Sequence, residues 1–504
     1  MGGDAPRPAM AEGPPARRPA RRAARRRPRR AEFPVDGTGG RSMLEFRKPA
    51  GTELVPGTRS IPGSVPGNEP RRYGRAWPGP VGGRTVTYLD PAATVVGAPV
   101  WPVWLLRGLE AAVVFVVVYN LAVYVGGLRN PRPVPRTTPR TRFAVLIPAH
   151  NEEAVIGPLI ESLGRQAYPR HLYDVFVVAD NCTDGTAAAA RAAGAHVWER
   201  FDDQRRGKQY AVAYALERIA SLGRRYDAVV MFDADNLVEP NFLQVMNDHL
   251  AAGEKIIQAY VDAKNPDDSW VSAAFAFSFW MSNRWRLQAR HNWGLCGALA
   301  GTGMCIAWDV LERVGWDVHT LTEDLEFSAK ALLHGYVTTF ARETRIYDEK
   351  VTGFVASCRQ RVRWARGNVQ VMLIHAPRLL WAGLRQLDPV KFEFVFDLTR
   401  PLHLVLTTVV SALSLAAGPE LARWGWVPLP DWPVRLTALF AVVGPLLVLV
   451  LDRLPLRPYR FIPLLPIFQY SWIVLVLWAL LTPRNRQWVP TVHTRAMRLG
   501  ELSR

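Results

Sequence analysis

Between residues 140 and 390 the chain alternates short unbroken apolar runs with stretches in which apolar residues recur every three or four positions. FAVLIP (143–148) and YDVFVVAD (173–180) are of strand length and rich in β-branched residues, so they predict strands buried on both faces. EEAVIGPLIESLGRQA (152–167) has helical spacing, and TDGTAAAARAAGA (183–195) predicts a second helix with Thr183 as its N-cap. YDAVVMFDAD (226–235) predicts a further strand. This βαβαβ order predicts an α/β, Rossmann-like domain with a parallel sheet and right-handed crossovers. Ligands of such sheets sit at the carboxyl ends of the strands, so IPAHNEE, VADNCTDG and FDADN should converge on one pocket.

Outside this region the pattern loses its polar positions. AAVVFVVVYNLAVYVGGL (111–128), with WLL (104–106) leading in, is long and apolar enough to span a bilayer. Trp101, Trp104 and Tyr124 suit the two interfaces. Three more apolar stretches follow, at 392–418, 436–451 and 461–481, giving about four transmembrane helices in all. Asp397, Arg400 and His403 stand at the entrance of the first of these three. Ionisable groups are costly inside a span, so the other reading of 392–418 is a helix lying in the interface. Arg129, Arg132, Arg136, Arg140 and Arg142 put the domain at 140–390 in the cytoplasm by the positive-inside rule, and Arg453, Arg457 and Arg460 favour a cytoplasmic loop. The same rule then conflicts with an outside location for the Arg-rich N-terminal segment, a conflict removed if 92–106 dips back into the membrane.

Composition adds that segment to the picture. The formal net charge is +18, from 62 Lys+Arg against 44 Asp+Glu. Residues 1–90 are rich in Pro, Gly and Arg, and ARRPARRAARRRPRR contains no acid. Such a stretch cannot bury enough apolar surface to offset its ordering entropy, which predicts a disordered tail, either solvated or held on anionic lipid headgroups. A shorter basic tail occupies 482–504. The basic residues of the N-terminal segment lack the aromatic interleaving of a stacking platform, which argues against nucleic acid as partner. The four cysteines form no CxxC pair, so neither a zinc site nor a disulfide framework is indicated.

Three motifs carry chemistry. Asp233 and Asp235, two positions apart where the chain leaves a strand, can both reach a hard cation such as Mg²⁺ or Mn²⁺, whose other ligands would be phosphate and water. LTEDLEFSAK (321–330) sets Glu323 and Asp324 in a first helical turn behind Thr322, which by itself reads as ordinary capping. RQRVRWARG (359–367) holds Gln360, Arg363 and Trp364 in the spacing QxxRW, where the arginine can clamp a diphosphate and the tryptophan can stack on a sugar.

IPAHNEE, VADNCTDG, RGK, FDADN, TED and QxxRW, in this order and at these intervals, resemble the membrane-bound, processive members of glycosyltransferase family 2: cellulose, chitin, hyaluronan and poly-N-acetylglucosamine synthases. The resemblance covers residues 140–380 and extends loosely to the later apolar stretches. It implies a GT-A fold, a nucleotide-sugar donor, usually a UDP-sugar, and an inverting mechanism. It implies that Glu152 and Asp180 line the base and ribose, with Lys208 near the nucleotide. Asp233 and Asp235 would be the metal-binding pair, and Asp324 the catalytic base. Glu323, Gln360, Arg363, Trp364 and Gly303 (in GTGMC, 301–305) would lie at the acceptor and diphosphate end. Ala179 stands where many relatives carry the first aspartate of a pair.

The expected activity is extension of a polysaccharide chain by a membrane-embedded enzyme, with the 18 tryptophans fitting a sugar-lined path. Two other readings stand beside it: a single addition to a lipid-linked acceptor, and a non-catalytic membrane scaffold that binds sugar. Intact Asp233, Asp235 and Asp324 argue against the scaffold.

Overall fold

The computed structural model describes residues 101–423, 432–485 and 495–502. The expected tail at 1–90 lies outside the described residues, as do the start of the 92–106 stretch and, within 482–504, residues 486–494 and 503–504.

Eight strands form one sheet: β1 (Phe143–Ala149), β2 (Tyr173–Asp180), β3 (His196–Arg200), β4 (Ala228–Met231), β5 (Leu237–Val238), β6 (Ile256–Ala263), β7 (Met304–Ala307) and β8 (Thr338–Asp348). Their order is β3-β2-β1-β4-β7-β6-β8-β5. The first four are parallel, with Ala149 opposite Ala179 and Leu146 opposite Met231. The second half is mixed, because β7 runs against both β4 and β6, and β5 against β8. The parallel sheet expected from the sequence therefore holds for half of it. β7 is only four residues long and is entered through the loop that follows the helical stretch Trp270–Trp293, so nothing in the local pattern marks its direction.

Alternate residues of the central strands go to opposite faces. Val145, Ile147, Val175 and Val177 pack with Leu159, Phe242 and Met246, while Leu146, Phe176 and Val178 pack with Val212, Ile219 and Phe327. Both faces are thus covered, which explains why these strands read as unbroken apolar runs. The flanking helices are shorter than their apolar spacing suggested, at Ile156–Gly164 and Thr186–Ala192. Thr183 is not a cap: its N–H donates to Asn151 Oδ1 at 2.8 Å, and Asp184 Oδ1 accepts the Thr186 N–H at 3.0 Å. The strand at 226–235 ends at Met231, so Asp233 and Asp235 lie in the loop beyond it.

Among the described residues, four helices are long and apolar enough to cross a membrane: Trp101–Leu128, Pro389–Glu420, Arg435–Asp452 and Arg457–Leu481. A π-helical turn at Asn283–Gln288 joins them to the sheet. Its Arg284 meets Asp452 at 2.5 Å, each side chain 1% exposed, and Arg342 of β8 meets the same carboxylate at 2.6 Å. Its Arg286 grips Asp397 with two hydrogen bonds, at 2.9 and 2.5 Å. Arg290, one turn on, pairs with Glu393 at 2.6 Å.

Removing one partner of such a pair leaves an uncompensated buried charge. Asp452→Ala should lower stability by about 3–5 kcal/mol, seen as a fall in the unfolding temperature of the detergent-purified protein. Asp452→Ala with Arg284→Met should recover part of that loss, and an unchanged midpoint for the single variant would show the cluster to be stabilising nothing.

Candidate active site

The parallel register of β1, β2 and β4 brings their carboxyl ends to one edge of the sheet. Asn151 and Asn181, just past β1 and β2, take positive φ values of 56° and 52°, which asparagine tolerates better than most residues. They turn the two loops toward each other: Asn151 Oδ1 accepts the Thr183 N–H, and Asn181 Oδ1 accepts the Asp202 N–H, both at 2.8 Å. Glu152 is tied in by its N–H to Thr186 Oγ1 at 2.8 Å, and Asp180 by a buried pair with Arg200 at 2.6 Å. Burial nevertheless holds the Asp180 carboxyl above its ordinary pKa, against the pull of Arg200. Arg200 was not singled out in the sequence, where the HVWER run gives no sign that its last residue turns back to β2.

Lys208 opens the helix Lys208–Ser221 and is the junction of the site. Its ammonium donates to Asp233 Oδ1 and, at 2.6 Å, to the Gly301 carbonyl, and lies 3.7 Å from Glu323 Oε1. Burial opposes its charge, but Asp233 and Glu323 keep the Lys208 pKa above the usual value. Gly301, at φ +80°, lies against the next group: a side chain there would begin 3.4 Å from Asp324 Oδ2 and 3.7 Å from Lys208 Nζ. Gly303 sits elsewhere. Its N–H bonds the Met231 carbonyl, its carbonyl accepts the Ala259 N–H, and a side chain on it would run into Ile346. Gly301 is thus the glycine of this loop that faces the cavity.

Glu323 and Asp324 occupy the first turn of the helix Glu323–Leu333. Thr322 stands at the N-cap position, but its hydroxyl makes no cap bond. The turn is held instead by Glu326, which accepts the N–H groups of His319 and Thr320 at 2.7 Å each. Gly367 of the helix Phe354–Gln386 packs directly on this turn, where a side chain would meet Thr322 at 2.5 Å. Burial and then the charge of Glu323 push the Asp324 pKa up to about 7, although the Leu325 N–H and Lys208 pull it down.

On the helix Phe354–Gln386 the spacing of Gln360, Arg363 and Trp364 places all three on one face, and all three line the cavity. Trp364 packs edge-on against Phe275 and Phe279. Arg363 makes no ion pair among the described residues, and its Nε is buried without a partner. Arg361, two positions away, is by contrast bonded to the Phe468 carbonyl and Ser471 in the last apolar helix.

The aspartate pair is unequal. The Asp233 side chain is 41% exposed, whereas Asp235 is buried and accepts the Glu349 N–H at 2.8 Å. Asp348, not singled out in the sequence, ends β8 beside them. Burial raises its pKa to about 6; Lys350 opposes this, and the charges of Asp235 and Asp233 add to it. An excess of carboxylate at a cavity wall suits a hard cation. Among the described residues no three His, Cys, Asp or Glu side chains are grouped to hold a metal, so diphosphate and water would have to complete the ligand set.

These groups share a cavity of about 1550 Å³ that continues from Asp233 and Asp324 to the walls of the apolar helices, at Val116, Leu121, Leu404, Ala438 and Val476 among others.

Residues 139–367 match the family model described as "Glycosyltransferase like family 2". The chain is 25% identical over 395 residues to "Probable glycosyltransferase YdaM" of Bacillus subtilis, covering 72% of this chain and 89% of that protein. It is 28% identical over 246 residues to the β-monoglucosyldiacylglycerol synthase of Synechocystis sp., covering 46% of this chain and 49% of that protein, about half the relative's length. The mannosyltransferase PcManGT from Pyrobaculum calidifontis, solved with GDP-Man and Mn²⁺, is similar with a TM-score of 0.49 at 19% identity, over 76% of this chain and 99% of its own. With a glycosyltransferase family 2 model matching residues 139–367, a mixed α/β sheet and motif loops that meet at one cavity, the protein is a glycosyltransferase.

Proposed function

We propose that the protein is a multi-pass membrane enzyme, its α/β domain on the cytoplasmic side, that transfers a sugar with inversion from a nucleotide-sugar donor to an acceptor entering from among its apolar helices. The observation that carries this reading is the single cavity that joins Asp233, Lys208, Asp324 and the Gln360–Arg363–Trp364 face to those helices. Glu152 and Asp180 would hold the nucleoside, a uridine by the family resemblance, and Lys208 and the unpaired Arg363 its diphosphate. Asp233 and Asp235 would hold Mg²⁺ or Mn²⁺, which when bound would offset the charge of the leaving diphosphate. Asp324 takes the proton from the acceptor hydroxyl as that oxygen bonds to the anomeric carbon, and the bond from that carbon to the diphosphate breaks with its electron pair going to the leaving group. Glu323, Gln360 and Trp364 would position the acceptor, with the Gly301–Gly303 loop behind it.

Chain extension of a polysaccharide remains one form of this activity. The cavity lining favours the other, a single addition to a lipid-anchored acceptor. The stretch lined by Leu404, Thr407, Thr408, Ser411, Ala412 and Leu415 is aliphatic and hydroxyl-bearing, as an acyl or prenyl chain needs. Aromatic side chains, among them Tyr119, Phe277, Phe279, Trp364 and Trp472, line other parts of the cavity, where a sugar can stack. A relative named for making a glucosyl diacylglycerol is in keeping with this reading.

Incubation of the purified protein with UDP-glucose, UDP-N-acetylglucosamine or GDP-mannose and a bacterial lipid extract should yield a lipid bearing one sugar. A ladder of lengthening water-soluble products would replace this reading with polysaccharide synthesis, and no nucleotide release from any donor would overturn both.

Asp324→Asn keeps the shape of the side chain and loses the basic oxygen, so kcat should fall roughly 10²–10⁴-fold. Donor binding measured by calorimetry should hardly change, because the diphosphate and nucleoside contacts come from other residues. Loss of donor binding with retained turnover would make Asp324 a structural cap.

Because Asp324 acts ionised and its pKa is raised to about 7, kcat/KM should fall as pH drops through about 7. Glu323→Gln removes the like charge beside it and should move this acid limb to lower pH. A limb that stays in place, or moves up, would assign it to another group.

A further inference from the structure

The helix Pro389–Ala422 carries a polar line into the cavity that the transfer reaction does not use. Asp397, Arg400, His403, Thr407, Thr408 and Ser411 all line the cavity. Its charges do not balance. Arg286, Arg290 and Arg400 face two carboxylates, Glu393 and Asp397. Arg286 and Arg290 take the close contacts, at 2.5 and 2.6 Å, and Arg290 lies a further 3.4 Å from Asp397. Arg400 is left 3.7 Å from an Asp397 oxygen that already accepts from Arg286, and its side chain is 47% exposed. A surplus arginine this far along an apolar helix is costly without a counter-ion.

His403, three residues on, is oriented by the hydroxyl of Thr399. That hydroxyl donates to the Phe396 carbonyl at 2.9 Å, so the ring Nε2–H must donate to it across 3.1 Å. The neutral ring therefore keeps its lone pair on Nδ1, which is buried without a partner. A guanidinium whose carboxylate neighbour is already held by Arg286 stands one turn from a nitrogen that can accept a hydrogen bond from a hydroxyl. The monoanion of a phosphate monoester supplies both, charged oxygens and a P–OH, and a second ionisation near pH 6 keeps that form accessible beside a proton-accepting ring. A phosphodiester or a carboxylate has no hydroxyl to offer in its charged form.

We propose that Arg400 and His403 form an anion subsite for a phosphate monoester, carried by the lipid that occupies the helix end of the cavity. Its assignment to the acceptor rests on the transferase reading above; the anion site itself does not. The same chemistry could come from free phosphate, and the test separates the two.

The full-length protein in detergent micelles is offered dioleoyl phosphatidic acid, dioleoyl phosphatidylglycerol, dioleoyl phosphatidylcholine or inorganic phosphate, and retention is read by native mass spectrometry. Phosphatidic acid should be held over the other two lipids, one molecule per protein. Arg400→Gln should weaken it roughly 10- to 100-fold, the range of a lost charge-assisted hydrogen bond, and Arg400→Lys should keep part of it. Unfolding midpoint and nucleotide-sugar binding should match the wild type, since Arg400 closes no tight pair. Equal retention of the three lipids, or wild-type affinity in Arg400→Gln, overturns the subsite. Binding of inorganic phosphate without phosphatidic acid overturns its lipid source. If Arg400→Gln does not fold, His403→Phe carries the same comparison. Absence of nucleotide-sugar binding in the wild type would count against the transferase reading alone.

Discussion

A charge buried between apolar helices must meet an opposite charge, and that constraint ties this protein together. The π-helical turn at Asn283–Gln288 presents Arg284 to one side and Arg286 to another, and each finds a carboxylate on a different apolar helix. Asp452 ends one of those helices and Asp397 lies near the start of another. Because Arg342 of β8 shares Asp452 with Arg284, the sheet itself is joined to the helices through one carboxylate. The cavity shares this joint, since Arg286, Arg290 and Asp397 line it.

The chemistry at the sheet end follows a similar logic on a smaller scale. Lys208 touches Asp233, Gly301 and Glu323, which come from two loops and the first turn of a helix. One ammonium thus sets the spacing of the proposed metal pair and the proposed base. Burial, and then Glu323 next to it, raise the proton affinity of Asp324. The carboxylates at this wall outnumber the lysines, and Arg363, which makes no ion pair among the described residues, lines the same cavity. Such a distribution favours a ligand with both a cation and a diphosphate, with few groups needing to move when it arrives.

Much of the fold was readable where a signal is local. Unbroken apolar runs marked β1, β2 and β4 because strands covered on both faces have no polar alternation to show. Four apolar helices were readable because membrane-spanning length needs a long uninterrupted pattern. Helix ends were read less well. Thr183 and Thr322 have the residue type of caps, yet Asp184 and Glu326 hold those turns, because capping depends on backbone directions that residue type does not encode. β7 and Asp348 were missed for a related reason: four apolar residues carry no direction, and an acid at a strand end acquires meaning only from what lies beside it.

The amino-acid sequence by itself determined the α/β class of the central region, the apolar helices around it and the residue types that can bind a diphosphate or move a proton, since these depend on composition and spacing along the chain. The tertiary structure decided which of those residues meet. Gly301 faces Asp324 while Gly303 is spent on the sheet, Arg363 is left open while Arg361 is bonded to a helix, and Arg400 has no carboxylate of its own. Those distinctions are differences in distance between segments far apart in the chain, and no local pattern carries them.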